Sequence, residues 1–136
     1  MNTVQIVPLE YVPSTLPYVE TYIAEAFEHS QGDYTVEEAR VLLTRGLWQL
    51  TVAVDEQNQI HGCAVIEYYN RPRDRVAFIV ASGGKFITNK DTLQQLFTIM
   101  QTHGATCVEG AVRKSMARLL RHFGFAEKYH VVGRKL

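Results

Sequence analysis

The chain has 136 residues, 46% of them apolar, with 14 basic and 14 acidic side chains and a formal net charge of zero. That size and composition are those of one ordinary globular domain spanning residues 1–136, and they argue against a disordered chain. A neutral total provides no overall field toward nucleic acid or a lipid surface, so neither is an expected partner and any basic site is local.

In chain order, Val4 to Leu9 is a short β-branched run ended near Pro8, which predicts a first strand. Ser14 is a candidate cap for a helix that tolerates Pro17 in its first turns and repeats Leu16, Val19, Ile23 and Phe27 at helical spacing. Thr35 and Glu38 have the T-x-x-E spacing of a capping box, which opens a second helix that stops at Gly46. Trp48 to Val54 and Ile60 to Tyr69 are β-rich and flank the polar tract 55–59, the pattern of an antiparallel hairpin.

After the turn at 70–74, Arg75 to Ala81 predicts a strand whose nearly continuous apolar core places it centrally in a sheet. A helix from about Asn89 to His103 ends at Gly104, and Ala105 to Val112 returns as a strand, which implies a right-handed parallel crossover. Ser115 is a candidate cap for a last short helix ending at Gly124, before a closing strand at Tyr129 to Val132. Cys63 and Cys107 have no CxxC spacing and read as free thiols in a reducing compartment. The five histidines lack metal-ligand spacing, so no metal site is expected. The N-terminus has neither a basic n-region nor an apolar h-region, and no run reaches the ~18 apolar residues of a membrane span.

The order β, α, α, β, β, β, α, β, α, β resembles the GNAT (Gcn5-related N-acetyltransferase) superfamily over essentially the whole chain. The segment Arg113-Lys-Ser-Met-Ala-Arg-Leu-Leu-Arg-His-Phe-Gly-Phe125 is similar to the family pattern N-x-x-A-x-x-L-Y-x-K-x-G-F, with Leu119 and the Gly124-Phe125 pair in place. The implied fold is α+β, with a mixed central sheet of six or so strands and about four helices. The resemblance also implies acetyl-CoA as cofactor, should the protein be active, and otherwise none.

Two segments depart from the pattern, and Arg113 replaces the asparagine that opens the first. Leu120 stands where many family members have a tyrosine that protonates the leaving thiolate. Val80 to Lys90 stands where the family has V-x-P-x-Y-R-x-x-G-x-G, and there Thr88 and Lys90 replace the two glycines that admit the pyrophosphate. A displaced anion nest at Gly83-Gly84-Lys85 is the alternative grip. Val80, Lys85, Phe86, Thr88 and Asn89 are thus the candidate cofactor-binding residues.

Glu67 is the candidate base that would deprotonate an acceptor amine through water. Tyr68 and Tyr69 are candidate acceptor-cleft residues, and Tyr129 and His130 candidate replacements for the missing acid. Arg113, Lys114, Arg118 and Arg121 place four cations on one short stretch. The same C-terminal segment resembles small GNAT-like proteins of tailed bacteriophages, some of which are virion components. The combined expectation is a degenerate GNAT protein with reduced or lost activity and a binding or assembly role. Its protein partner would lie in a phage particle or host, and its location would be a bacterial or infected cytoplasm or the virion. The alternative is an active N-acetyltransferase acting on a small amine.

Overall fold

The computed structural model describes residues 2–30, 32–85 and 89–136. In chain order it contains β1 (Thr3–Ile6), a single 3-10 turn (Leu9–Tyr11), α1 (Val12–Phe27), α2 (Val36–Thr44), β2 (Gln49–Val54), β3 (Ile60–Asn70), β4 (Arg75–Gly84), α3 (Lys90–Thr102), β5 (Cys107–Gly110) and α4 (Lys114–Arg121). The strands form one sheet in the order β1-β2-β3-β4-β5. The first four are antiparallel and β5 joins β4 in parallel, with α3 as the crossover.

The sheet has a core on each face. On one, α1 turns Val12, Leu16, Val19, Ile23 and Phe27 inward at steps of three and four, onto Leu50, Val52, Cys63 and Val65. On the other, Leu93, Leu96 and Met100 of α3 cover Ala53, Ala64, Ile66 and Ala77. Each large aliphatic side chain so buried contributes about 1.5–3 kcal/mol. No helix among the described residues is long and apolar enough to cross a membrane.

Local chemistry explains most boundaries. Helix α1 starts two residues before Ser14, because Pro13 suits an early helical position and the Ser14 and Thr15 hydroxyls both donate to the Tyr11 carbonyl, at 3.1 and 2.8 Å. The Thr35 capping box is present in both directions: Thr35 Oγ1 accepts from the Glu38 amide at 3.1 Å, and Glu38 Oε1 accepts from the Thr35 amide at 2.9 Å. Thr35→Ala should therefore lower the unfolding free energy by about 1 kcal/mol in urea denaturation, without altering the slope.

The closing strand expected at Tyr129 to Val132 is absent, so the sheet has five strands among the described residues where six were expected. Tyr129, Val131 and Val132 are 65%, 85% and 91% exposed. The strand they would have to join, β5, spans only Cys107–Gly110, shorter than the 105–112 expected. The tail is instead held by a side chain, with Lys128 Nζ 2.6 Å from Glu109 Oε2. β-Propensity has no effect without a partner edge to pair with.

Candidate functional site

The site begins where β4 and β5 part. They pair from Val76 with Cys107 to Ile79 with Gly110, and β4 then continues to Gly84 while β5 ends. On the side away from β3, residues 80–84 therefore have no strand partner among the described residues, leaving backbone donors and acceptors for a ligand. The ladder also slips here: Val65 pairs with Ala81 and Ile66 with Ile79, which leaves Val80 as the extra residue of a bulge. A bulge redirects the backbone and ends regular pairing. Val80 is half-buried and packs against the α1–α2 core.

Glu67 lies beside this bulge. Its register partner on β4 is Phe78, and Phe78 in turn pairs with Glu109 on β5, so the two carboxylates flank one phenyl ring in a single row across the sheet. Trp48 Nε1 donates to Glu67 Oε2 at 3.3 Å, and the Tyr34 ring stands edge-on to Trp48 at 5.0 Å. Burial raises the Tyr34 hydroxyl pKa, and the negative charges of Glu67 and Asp33 add to the effect. The arrangement gives a half-buried carboxylate in an aromatic frame on the α1–α2 face, a setting suited to a cationic group.

The C-terminal end of β4 is tightly packed. Gly83 and Gly84 are part of the strand, paired with Cys63 and Gly62. Lys85 is exposed, and its amide donates to the His61 carbonyl at 3.0 Å. These three residues therefore form no displaced anion nest: their conformation serves close packing. Phe86 and Thr88 lie outside the described residues. Asn89 is the N-cap of α3, and its Oδ1 accepts from the amides of Asp91 at 2.9 Å and Thr92 at 3.3 Å. Asp91 adds a carboxylate to that first turn.

Helix α4 approaches from the other side. Leu120 is 6% exposed and belongs to the core, and its aliphatic side chain has no proton to donate. The helix ends as the sequence predicts, at Gly124 with φ +90°, and Phe125 then packs against Phe97 of α3 at 5.9 Å between ring centroids. Between α3 and the end of α4 is a cleft of about 150 Å³, lined by Lys90, Leu93, Gln94, Phe97, His122 and Phe123. It is well below the about 300 Å³ at which ligand pockets usually begin.

No protein-family model matches the chain, and no curated protein matches it. Solved structures do. An aminoglycoside acetyltransferase from an uncultured soil metagenomic sample superposes with a TM-score of 0.72 at 12% identity, over 100% of this chain and 99% of that one. The fold is that of an acetyltransferase. A predicted acetyltransferase from Clostridium acetobutylicum, solved with acetyl-CoA, superposes with a TM-score of 0.65 at 13% identity, over 99% and 96% of the two chains. A probable acetyltransferase gives 0.69 at 14% identity over 98% and 96%. The GNAT-like α+β architecture expected from element order is thus the one observed.

Of the candidate site residues, Glu67 and Val80 lie near each other at the bulge, Lys85 directly follows the C-terminal end of β4, and Asn89 caps α3. Tyr129 is mostly exposed, and His130 has no strand to stand on. Sequence reasoning missed a charged knot beside Glu67. Arg71 Nη2 donates to Glu109 Oε1 at 2.8 Å and to the Tyr69 hydroxyl at 3.0 Å, Arg71 Nη1 donates to Glu109 Oε2, and Lys128 binds the same oxygen. The Arg71 hydrogen bonds, with help from Lys128, hold the Glu109 carboxyl at about 2. No spacing rule connects a turn arginine, a β5 glutamate and a tail lysine.

Proposed function

We propose that this chain is a GNAT-fold protein with little or no acetyl-transfer activity and a binding or assembly role. The observation that carries this reading is the cap of α3. At the helix N-terminus that the family pattern turns toward a pyrophosphate, the amides of Asp91 and Thr92 are already bound by the chain's own Asn89, and the Asp91 carboxylate in the same turn repels a second anion. The buried Leu120 supports it from the chemical end, since a departing thiolate finds no proton donor there. The phage particle or infected cell as its setting rests on the C-terminal resemblance, and the partner is then a protein of that particle or host.

A second reading has one specific observation in its favour. The unpaired margin of β4 and the Val80 bulge leave strand amides free to polarise a thioester carbonyl, with Glu67 near enough to relay a proton from an amine through water. Acetyl-CoA would be the cofactor and a small amine the acceptor. Titration calorimetry with acetyl-CoA separates the two. No saturable heat is expected up to millimolar concentration, and no rise in melting temperature, because a ligand that binds only the native state must stabilise it. Saturable binding near micromolar concentration would overturn the first reading.

A further inference from the structure

The neutral total conceals a strong polarity. Seven of the 14 acidic residues fall in residues 1–39, which contain no Lys or Arg. Seven of the 14 basic residues fall in residues 113–136, where Glu127 is the single acid. The first 112 residues thus carry net −6 and the last 24 carry +6. The fold keeps these groups apart. The acidic stretch forms α1 and α2 on one face of the sheet, while the segment after α4 packs Phe123 and Phe125 onto the core beneath α3 on the other.

Both faces are largely unneutralised. On the acidic side Glu20 pairs with Arg40 and Glu38 serves its cap, but Glu10, Glu25, Glu28, Asp33 and Glu37 are exposed and have no ion-pair partner among the described residues. On the basic side Arg113, Lys114 and Arg118 likewise have none, and Arg121 reaches only Glu127, at 3.6 Å. Lys114, Arg118 and Arg121 are spaced by four and three residues and so share one face of α4. Tyr11, Tyr18 and Glu25 recur every seven residues, with Glu28 one turn on, and so form one stripe. The two tyrosines of that stripe are 58% and 71% exposed, rings on which a guanidinium can stack.

We infer that this protein associates head to tail with a second copy of itself, the basic face of α4 and the C-terminal segment of one copy docking on the acidic α1–α2 face of the next. Charge complementarity identifies the occupant: the exposed, unpaired carboxylates of the α1–α2 face oppose the exposed, unpaired Arg113, Lys114 and Arg118 of the basic one. Nucleic acid is the poorer fit, because the basic surface is one eight-residue helix plus a tail with a single tyrosine, Tyr129, whose ring Lys128 already meets. The two patches are different surfaces, so the contact is heterologous and extends into rings or open chains. The inference stands whether or not the protein binds acetyl-CoA.

Sedimentation velocity across a salt series tests it. At about 25 mM salt the wild-type weight-average mass should rise at least about twofold with concentration and return to monomer at about 0.5 M, where the Debye length falls to a few ångströms. Arg118→Glu with Arg121→Glu, and separately Glu25→Lys with Glu28→Lys, should each give monomer at low salt with an unchanged melting temperature, since all four residues are exposed. An equimolar mixture of the two reversed proteins should associate again. A wild type that stays monomeric at low salt overturns the inference, as does association that survives either reversal. DNA retardation abolished by the Arg118/Arg121 reversal in a protein that does not self-associate would overturn it too, assigning the basic face to nucleic acid.

Discussion

Gly84→Ala is expected to lower the unfolding free energy by about 2–5 kcal/mol, from left-handed strain and from overpacking together. Gly84 has φ +71°, and a β-carbon there would sit 2.3 Å from the His61 carbonyl oxygen and 2.7 Å from the Gly62 α-carbon. Both obstacles are backbone of the neighbouring strand, so no side-chain rotation relieves them. Gly124 is the control. It has φ +90° but nothing within 4 Å of where a methyl group would stand, so Gly124→Ala should cost only the conformational strain, about 1–2 kcal/mol. Urea denaturation of both variants measures the difference. Equal losses would mean that the β3–β4 ladder yields at this point, and that the tight end of the site is not tight.

The second large effect is at acid pH. Glu109 has a side chain only 11% exposed, and it bridges Arg71 and Lys128. Its folded-state value of about 2 lies below the ordinary 4.5. The ionised carboxylate therefore stabilises the fold fully above about pH 5, and that contribution disappears as pH falls from there through about 2. Glu109→Gln keeps the shape and removes the charge, and should lower stability at pH 7 by about 1–3 kcal/mol. Its stability should then decline less than that of the wild type between pH 5 and pH 2. Parallel curves for the two proteins would show that the knot contributes nothing to folding.

The parts of the fold set by local chemistry could be read directly from the sequence. Thr35 with Glu38, the polar turn at 55–59, Asn89 and Gly124 all mark boundaries that the structure keeps within a residue or two, because each satisfies backbone groups of its own segment. The closing strand failed for the opposite reason. Tyr129 to Val132 has the right residue types, but a strand requires an edge, and the length of β5 is fixed by contacts distant in sequence. Gly83 and Gly84 looked like a phosphate loop since glycines there serve anion binding and close packing alike, and only Tyr22 and His61 across the gap decide between them. The site divides in the same way. Glu67 and Val80 were visible by resemblance, whereas the Arg71–Glu109–Lys128 knot is assembled by tertiary contact alone.

The sheet's spatial order repeats its order in the chain, and this bears on how the molecule is made. As synthesis proceeds, each antiparallel strand finds its partner already at hand, so β1 to β4 with α1 and α2 can assemble while the rest is still being translated. Only the parallel joint must wait, because β5 docks after α3 has formed and crossed over. The β4–β5 joint is consequently the last part of the sheet to close, and by the same token the first from which the native structure should open.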